Sequence, residues 1–275
     1  MITQSEYEFF SKIAVVDQKH LKTQLTKMLQ KRYDTVIENE KFIYAIGDID
    51  IALMAHLDTV FPEKEKNIFC DREREIFWSP EGLGADDRAG VYAILEILIK
   101  YKKRPHVIFT LDEELGGIGA KELAKIKNPF SNLKYIIQLD RRGKDDCVFY
   151  NCDNEEFEKY IESFGFVTNL GSYSDISFVC PAWKIAGVNL SVGYENEHSY
   201  MEYLNFTILK ATIQKVLNML DAANEASIFK YCTSNYECAM CGKAVSKHSG
   251  IMAELSDGNK YYFCPKCAEV LTWNS

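Results

Sequence analysis

DIDIALMAHLDTVFP, residues 48–62, is the stretch on which the fold turns. From Ile51 to Ala55 every residue is apolar, with none of the alternation of a half-exposed strand. Such a run reads as a central strand buried on both faces. It then stops abruptly: His56 and Asp58 bracket a single leucine. Two readings are open at this point. The strand runs out into a polar loop, or the two residues form the first corner of a metal site.

Outward from this strand, apolar runs alternate with helical stretches. Ser5 with Glu8 fits a capping box, so a helix is expected from about residue 6. A second helix is expected over 17–32, and strands over 33–38 and 42–46. Beyond 62, helices are expected over 88–102, from GAKELAKI onward, over 155–164 and over 202–224. HVIFTL (106–111), YIIQL (135–139) and the segment 184–190 read as further strands. This order predicts an α/β fold with a mostly parallel central sheet flanked by helices. A catalytic domain over 1–228 and a small C-terminal module over 229–275 are expected.

Polar residues recur where these strands end. Asp86 and Asp87 lie in a glycine-bearing loop. Asp112, Glu113 and Glu114 follow VIFTL, Asp140 follows YIIQL, and His198 follows the last strand. The steps from His56 to Asp86, from Asp86 to Glu114 and from Glu114 to Asp140 are nearly equal. Each is close to the roughly 30 residues that one strand–helix–strand unit takes, so each returns the chain to the same edge of the sheet. In open α/β sheets the carboxyl edge is where ligands bind. Carboxylates gathered there need a counter-charge, which divalent metal supplies, and imidazole plus carboxylate suits zinc.

HLDTV, GLGADDRAG, TLDEELGGIGA, QLD and ENEHSY, in that order, resemble the dizinc exopeptidases. That superfamily includes single-domain aminopeptidases and the lid-bearing peptidase T and carboxypeptidase G. The resemblance covers roughly residues 45 to 225. It implies that His56 and Asp140 bind one zinc, Glu114 and His198 the second, and Asp86 bridges both. It implies a cis bond between Asp86 and Asp87. Asp58 would orient the His56 ring, and Glu113 would be the general base. Cobalt or manganese could substitute for the two catalytic zinc ions. The lid-bearing relatives insert a domain between the third carboxylate and the last histidine. Here Asp140 and His198 stand too close in the chain to leave room for one.

Substrate selection would then fall to nearby loops. Arg141, next to Asp140, could grip a substrate carboxylate, as could Arg142; both could instead be solvated or pair with Asp145 and Asp146. Asp175, in GSYSDIS, could hold a substrate amine or cap a short helix. His20, His106 and His248 have no partners in the pattern and read as ordinary. Near the end, Cys238 with Cys241 and Cys264 with Cys267 form two Cys-x-x-Cys pairs separated by a short spacer. Such knuckles predict a structural zinc in a ribbon-like module. The segment is too short to hold a core without one. The other five cysteines read as small buried or half-buried hydrophobes.

The chain has 275 residues, a net charge of −8 and a pI near 5.3. This balance makes nucleic acid an unexpected partner. No stretch is apolar enough for a membrane span, and the N-terminus has no signal-peptide pattern. A cytoplasmic protein is therefore expected. The expected function is a zinc-dependent amide hydrolase, an exopeptidase of aminopeptidase type acting on peptides. N-acyl amino acid deacylation and carboxypeptidase action are alternatives on the same site. A non-catalytic protein that docks a partner through the ribbon is the reading from another class.

Overall fold

The computed structural model describes residues 1–62, 66–233, 236–247, 250–254 and 258–272. The chain opens with α1 (Gln4–Val15) and α2 (Gln18–Gln30), then β1 (Thr35–Glu38), β2 (Phe42–Ile46) and β3 (Ile49–His56). A hairpin of β4 (Phe69–Asp71) and β5 (Ile76–Trp78) precedes α3 (Ala85–Lys100), β6 (Pro105–Thr110), α4 (Ile118–Ala124) and β7 (Tyr135–Arg141). Next come β8 (Asp146–Val148), α5 (Glu155–Glu162), β9 (Val167–Thr168), α6 (Ile176–Trp183) and β10 (Gly187–Ser191). The body closes with β11 (Tyr194–Glu195), β12 (Tyr203–Asn205) and α7 (Phe206–Asp221).

Eight strands form one sheet in the order β1-β2-β6-β3-β7-β10-β8-β9. The middle four, β6-β3-β7-β10, are parallel, while β2 and β8 run antiparallel to their inner neighbours. Buried side chains of α1, α2, α3, α5 and α7 fill a large core on one face. Those of α4 and α6 fill a second core on the other face. The sheet is thus covered on both sides, which is why β3 reads as an unbroken apolar run. A second sheet, β11-β12-β5-β4, is small and antiparallel. Its strands are two or three residues long, too short for periodicity to reveal them.

Some boundaries differ from expectation for identifiable reasons. The capping box at the start of α1 is Thr3 with Glu6, not Ser5 with Glu8. Starting two residues earlier keeps Ile2 buried in the main core. The last long helix begins at Phe206 rather than 202, because Tyr203–Asn205 pair with β5 and Asn205 caps the helix. Phe229 belongs to the main core and Lys230 bridges to Ile185, so the expected boundary at 229 falls inside packing of the body.

The C-terminal module carries β13 (Tyr236–Glu237), β14 (Ala244–Val245), β15 (Ile251–Glu254), β16 (Lys260–Phe263) and α8 (Pro265–Thr272). Its small core includes Cys238, Val245 and Phe263. Lys247 Nζ lies 2.9 Å from Glu158 Oε2 on α5, and Ser246 Oγ donates to Asp153 at 2.8 Å, joining module to body. No described helix is long and apolar enough to cross a membrane.

One close approach fixes the main helix against the sheet. A Cβ on Gly90 of α3 would sit 2.0 Å from the Leu139 carbonyl oxygen of β7. Backbone must move to admit it, so Gly90→Ala should cost about 3 kcal/mol or more. Thermal unfolding should show the midpoint falling by roughly 6–12 °C. An unchanged midpoint would refute the close packing.

Candidate metal-dependent active site

The carboxyl ends of four adjacent parallel strands converge on one cleft. His56 ends β3, Glu113 and Glu114 follow β6, Asp140 lies at the end of β7, and His198 follows β10. Asp86 comes from the first turn of α3, packed over β3 and β7. Polar residues can crowd here because strand carbonyls end and loops begin, so the chain has freedom to aim side chains inward.

Asp86 lies between the two imidazoles. Its Oδ1 is 3.1 Å from His56 Nε2 and its Oδ2 is 3.2 Å from His198 Nε2. Asp140 Oδ1 is 3.5 Å from His56 Nε2. Glu114 lies 3.1 Å from His198 Nε2. Candidate ligand atoms of Asp86, Glu114 and His198 fall within 4.8 Å of one another. The structure therefore brings together all five residues expected to bind metal. The bond between Asp86 and Asp87 is cis, as the resemblance implied.

Three further carboxylates are spent on backbone rather than facing the cleft. Asp87 accepts from the His56 amide at 3.1 Å and from the Gly90 amide at 3.0 Å, which caps the regular part of α3. Asp58 faces His56 Nδ1 at 3.3 Å and accepts the amides of Glu113 and Glu114, each at 3.0 Å. One side chain thus orients the imidazole and holds the adjacent glutamates. Glu202 accepts from the Gly84 amide at 2.6 Å and the Asp86 amide at 3.0 Å, pinning the loop that carries Asp86.

Sequence reasoning does not reach Glu202. It lies shortly after His198, and no spacing rule marks it. Nor does it reach the groups around Asp140. Gln138 Nε2 and Ser174 Oγ donate to its Oδ2 at 2.9 and 2.8 Å, and Tyr194 donates to its Oδ1 at 3.2 Å. Only the folded arrangement shows which polar residues share this carboxylate.

Other expectations change. Asp175 is fully buried, accepts from Thr110 Oγ1, and its side chain makes no cap hydrogen bond at α6. It does stand at the N-cap position of α6, capping through its backbone carbonyl rather than its side chain, and it is not among the residues lining the cleft. Arg142 pairs with Glu197 at 2.7 Å, rather than with Asp145 or Asp146. His20 is exposed beside Asp17, and His106 is buried, accepting from Gly47 and stacking on Phe130. His248 lies outside the described residues. Among the scattered cysteines, Cys232 is exposed, against expectation.

The donor set fits a bound cation. Burial pushes Glu113 up to about 9 and Glu114 up to about 7, with neighbouring carboxylates adding to the rise. Burial and Asp86 likewise push Asp140 upward, although His56 opposes them. Among the described residues only His56 and His198 pair with Asp86, Glu114 and Asp140. Buried carboxylates facing a shared point with so little positive charge need a cation to stay ionised. The oxygen and imidazole donors suit zinc. Separately, candidate sulfur atoms of Cys238, Cys241, Cys264 and Cys267 lie within 4.8 Å of one another, and none forms a disulfide. That is the donor set of a structural zinc site.

The geometry around Asp58 predicts a separable defect. Asp58→Asn keeps one acceptor but loses the second, so catalysis should fall about 10- to 100-fold while most metal stays bound. His56→Ala should instead empty one metal position. Metal analysis beside turnover distinguishes them, and equal metal loss in both variants would refute the division of roles.

The profile of peptidase family M28 matches residues 45–174. That segment carries His56, Asp86, Glu113, Glu114 and Asp140, and it ends before His198. No curated protein matches the sequence. Solved structures do match the fold. Aminopeptidase PepT from Bacillus cereus aligns with a TM-score of 0.63 at 16% identity, covering 79% of this chain and 97% of that one. A tripeptidase from Staphylococcus aureus gives the same score and identity, covering 78% and 97%. An aminopeptidase from the archaeon Desulfurococcus kamchatkensis aligns at 0.57 with 13% identity, covering 80% and 95%. Over its M28 segment the chain is thus similar to metallopeptidases, and it shares the fold of solved exopeptidases.

Proposed function

We propose that this exopeptidase is an aminopeptidase working with two zinc ions at the sheet edge and a third held by the ribbon cysteines. His56, Asp86 and Asp140 would hold one catalytic ion, and Asp86, Glu114 and His198 the other. The observation that carries this reading is Asp86, whose two oxygens face different imidazoles, at 3.1 and 3.2 Å. The similarity to solved aminopeptidases supports cleavage at the amino end. Two zinc ions bound there would polarise the scissile carbonyl and lower the pKa of the attacking water.

Glu113 is the general base in this reading. It is 7% exposed, lines the cleft and lies 4.0 Å from His56 Nε2. Its amide is held by Asp58, so the carboxylate is set before substrate arrives. It takes the proton of the attacking water and returns it to the leaving amine, which is acid–base work for a single side chain. Asp58 acts behind it, and behind His56, as the positioning group.

The four-cysteine module is proposed as a brace on the body through Ser246 and Lys247. Nine cysteines without disulfides fit a reducing compartment, and we place the protein in the cytoplasm.

Metal analysis of the purified protein should find about three zinc ions per chain, falling by one in Cys264→Ser. Only one ion, lost with that cysteine, would overturn the dizinc reading. With the metal loaded, Glu113→Gln should lower kcat on an aminoacyl substrate by about 10²–10⁴-fold while metal content holds. Undiminished turnover would remove Glu113 from its role. Blocking the substrate amine by acetylation should abolish cleavage, whereas cleavage of the blocked peptide would point to the carboxyl end.

A further inference from the structure

Two arginines line the cleft, and they are in different states. Arg142 has a half-exposed side chain and spends its guanidinium on Glu197 at 2.7 Å. Arg141 has 19% of its side chain exposed, and its nearest carboxylate oxygen, on Asp146, is 3.9 Å away. That oxygen accepts instead from Asn169 at 2.9 Å. One Arg141 terminal nitrogen donates to the Leu170 carbonyl at 3.0 Å, while its Nε is buried with no hydrogen-bond partner. A guanidinium has five N–H donors in a planar fork, so much of this one is unspent.

Its placement in the strand is also unusual. Asp140 and Arg141 are successive residues of β7, and strict alternation would send them to opposite faces. The pairing of β7 with β10 shifts register between Asn189 and Ser191, where Ser191 stands opposite Arg141. Such an irregularity re-aims a side chain, and both residues line the same cleft. Five carboxylates line the same cleft, Glu113, Glu114 and Glu197 among them, beside tyrosines and His198. A guanidinium with unspent donors in a carboxylate-rich cleft, one residue from a metal-site carboxylate, is matched to an anionic group of the substrate.

We propose that Arg141 is a specificity-determining residue that binds the free C-terminal carboxylate of a short peptide. The substrate class is then di- and tripeptides. Successive Cα atoms are about 3.8 Å apart and extended peptide advances roughly 3.3–3.6 Å per residue. Anchored so near Asp140, Arg141 meets a carboxylate only one or two residues beyond the scissile bond. Longer peptides would place an uncharged amide there and lose the contact. This inference rests on the exopeptidase reading above.

The test compares trialanine with trialanine amide on the zinc-loaded protein. The wild type should prefer the free acid by about 10- to 100-fold in kcat/KM, chiefly through KM, as expected of a charge-assisted bidentate contact. In Arg141→Ala that ratio should collapse to near one, and Arg141→Lys should be intermediate because it keeps charge but loses the fork. Calorimetry on zinc-loaded Glu113→Gln gives a readout without turnover. Trialanine should bind it more tightly than the amide, and adding Arg141→Ala should erase the difference. An acid-to-amide ratio unchanged by Arg141→Ala overturns the proposal. A wild type that binds and cleaves neither peptide overturns the exopeptidase reading beneath it.

Discussion

A surplus of buried negative charge governs this molecule. Asp86, Glu114 and Asp140 face two imidazoles at one sheet edge, and Glu113 is buried beside them. No lysine or arginine among the described residues pairs with the three. Carboxylates this close cannot all stay ionised against one another without a cation between them. The proposed metal site follows from that constraint, and so does much of the surrounding hydrogen bonding.

The scaffold answers the constraint by fixing the backbone that carries the candidate ligands. Asp58 holds Glu113 and Glu114, Asp87 holds His56 and the start of α3, and Glu202 holds the loop around Asp86. Each uses a carboxylate to satisfy buried amide donors that strand and helix ends leave unpaired. Gln138, Ser174 and Tyr194 treat Asp140 in the same way from three different elements. A site organised like this is preset, so a bound metal would not need to order it on arrival. The ribbon is tied to the same body, through Ser246 and Lys247, at the segment 153–158.

Much of the site is legible in the sequence because the sheet repeats. Strand–helix–strand units bring Glu114 and Asp140 back to the edge where His56 ends β3, whereas the step to Asp86 runs through the β4–β5 hairpin to the start of α3. Parallel β6, β3, β7 and β10 supply that edge. Expectation fails where function depends on which side chain meets which. The polar loop GSYSDIS suggests a cleft-facing Asp175, but the close packing of α6 buries it against Thr110. Glu202 follows the last histidine in a loop with no periodic signal, and its partners are 116 and 118 residues away. The short strands β4, β5, β11 and β12 escape a local reading because pairing across long separations creates them.

The sequence by itself determined the fold class, the positions of the loops that carry the candidate ligands and the two cysteine knuckles. Local patterns set these: a continuous apolar run buries on both faces, and Cys-x-x-Cys forms its turn within a few residues. Tertiary structure alone decided that Asp86 faces both imidazoles, that Asp58 serves three partners, and that Arg141 turns into the cleft while Arg142 is paired. Those outcomes depend on distances between segments far apart in the chain. Side-chain direction at such meeting points is fixed by packing and register, which no single stretch of residues encodes.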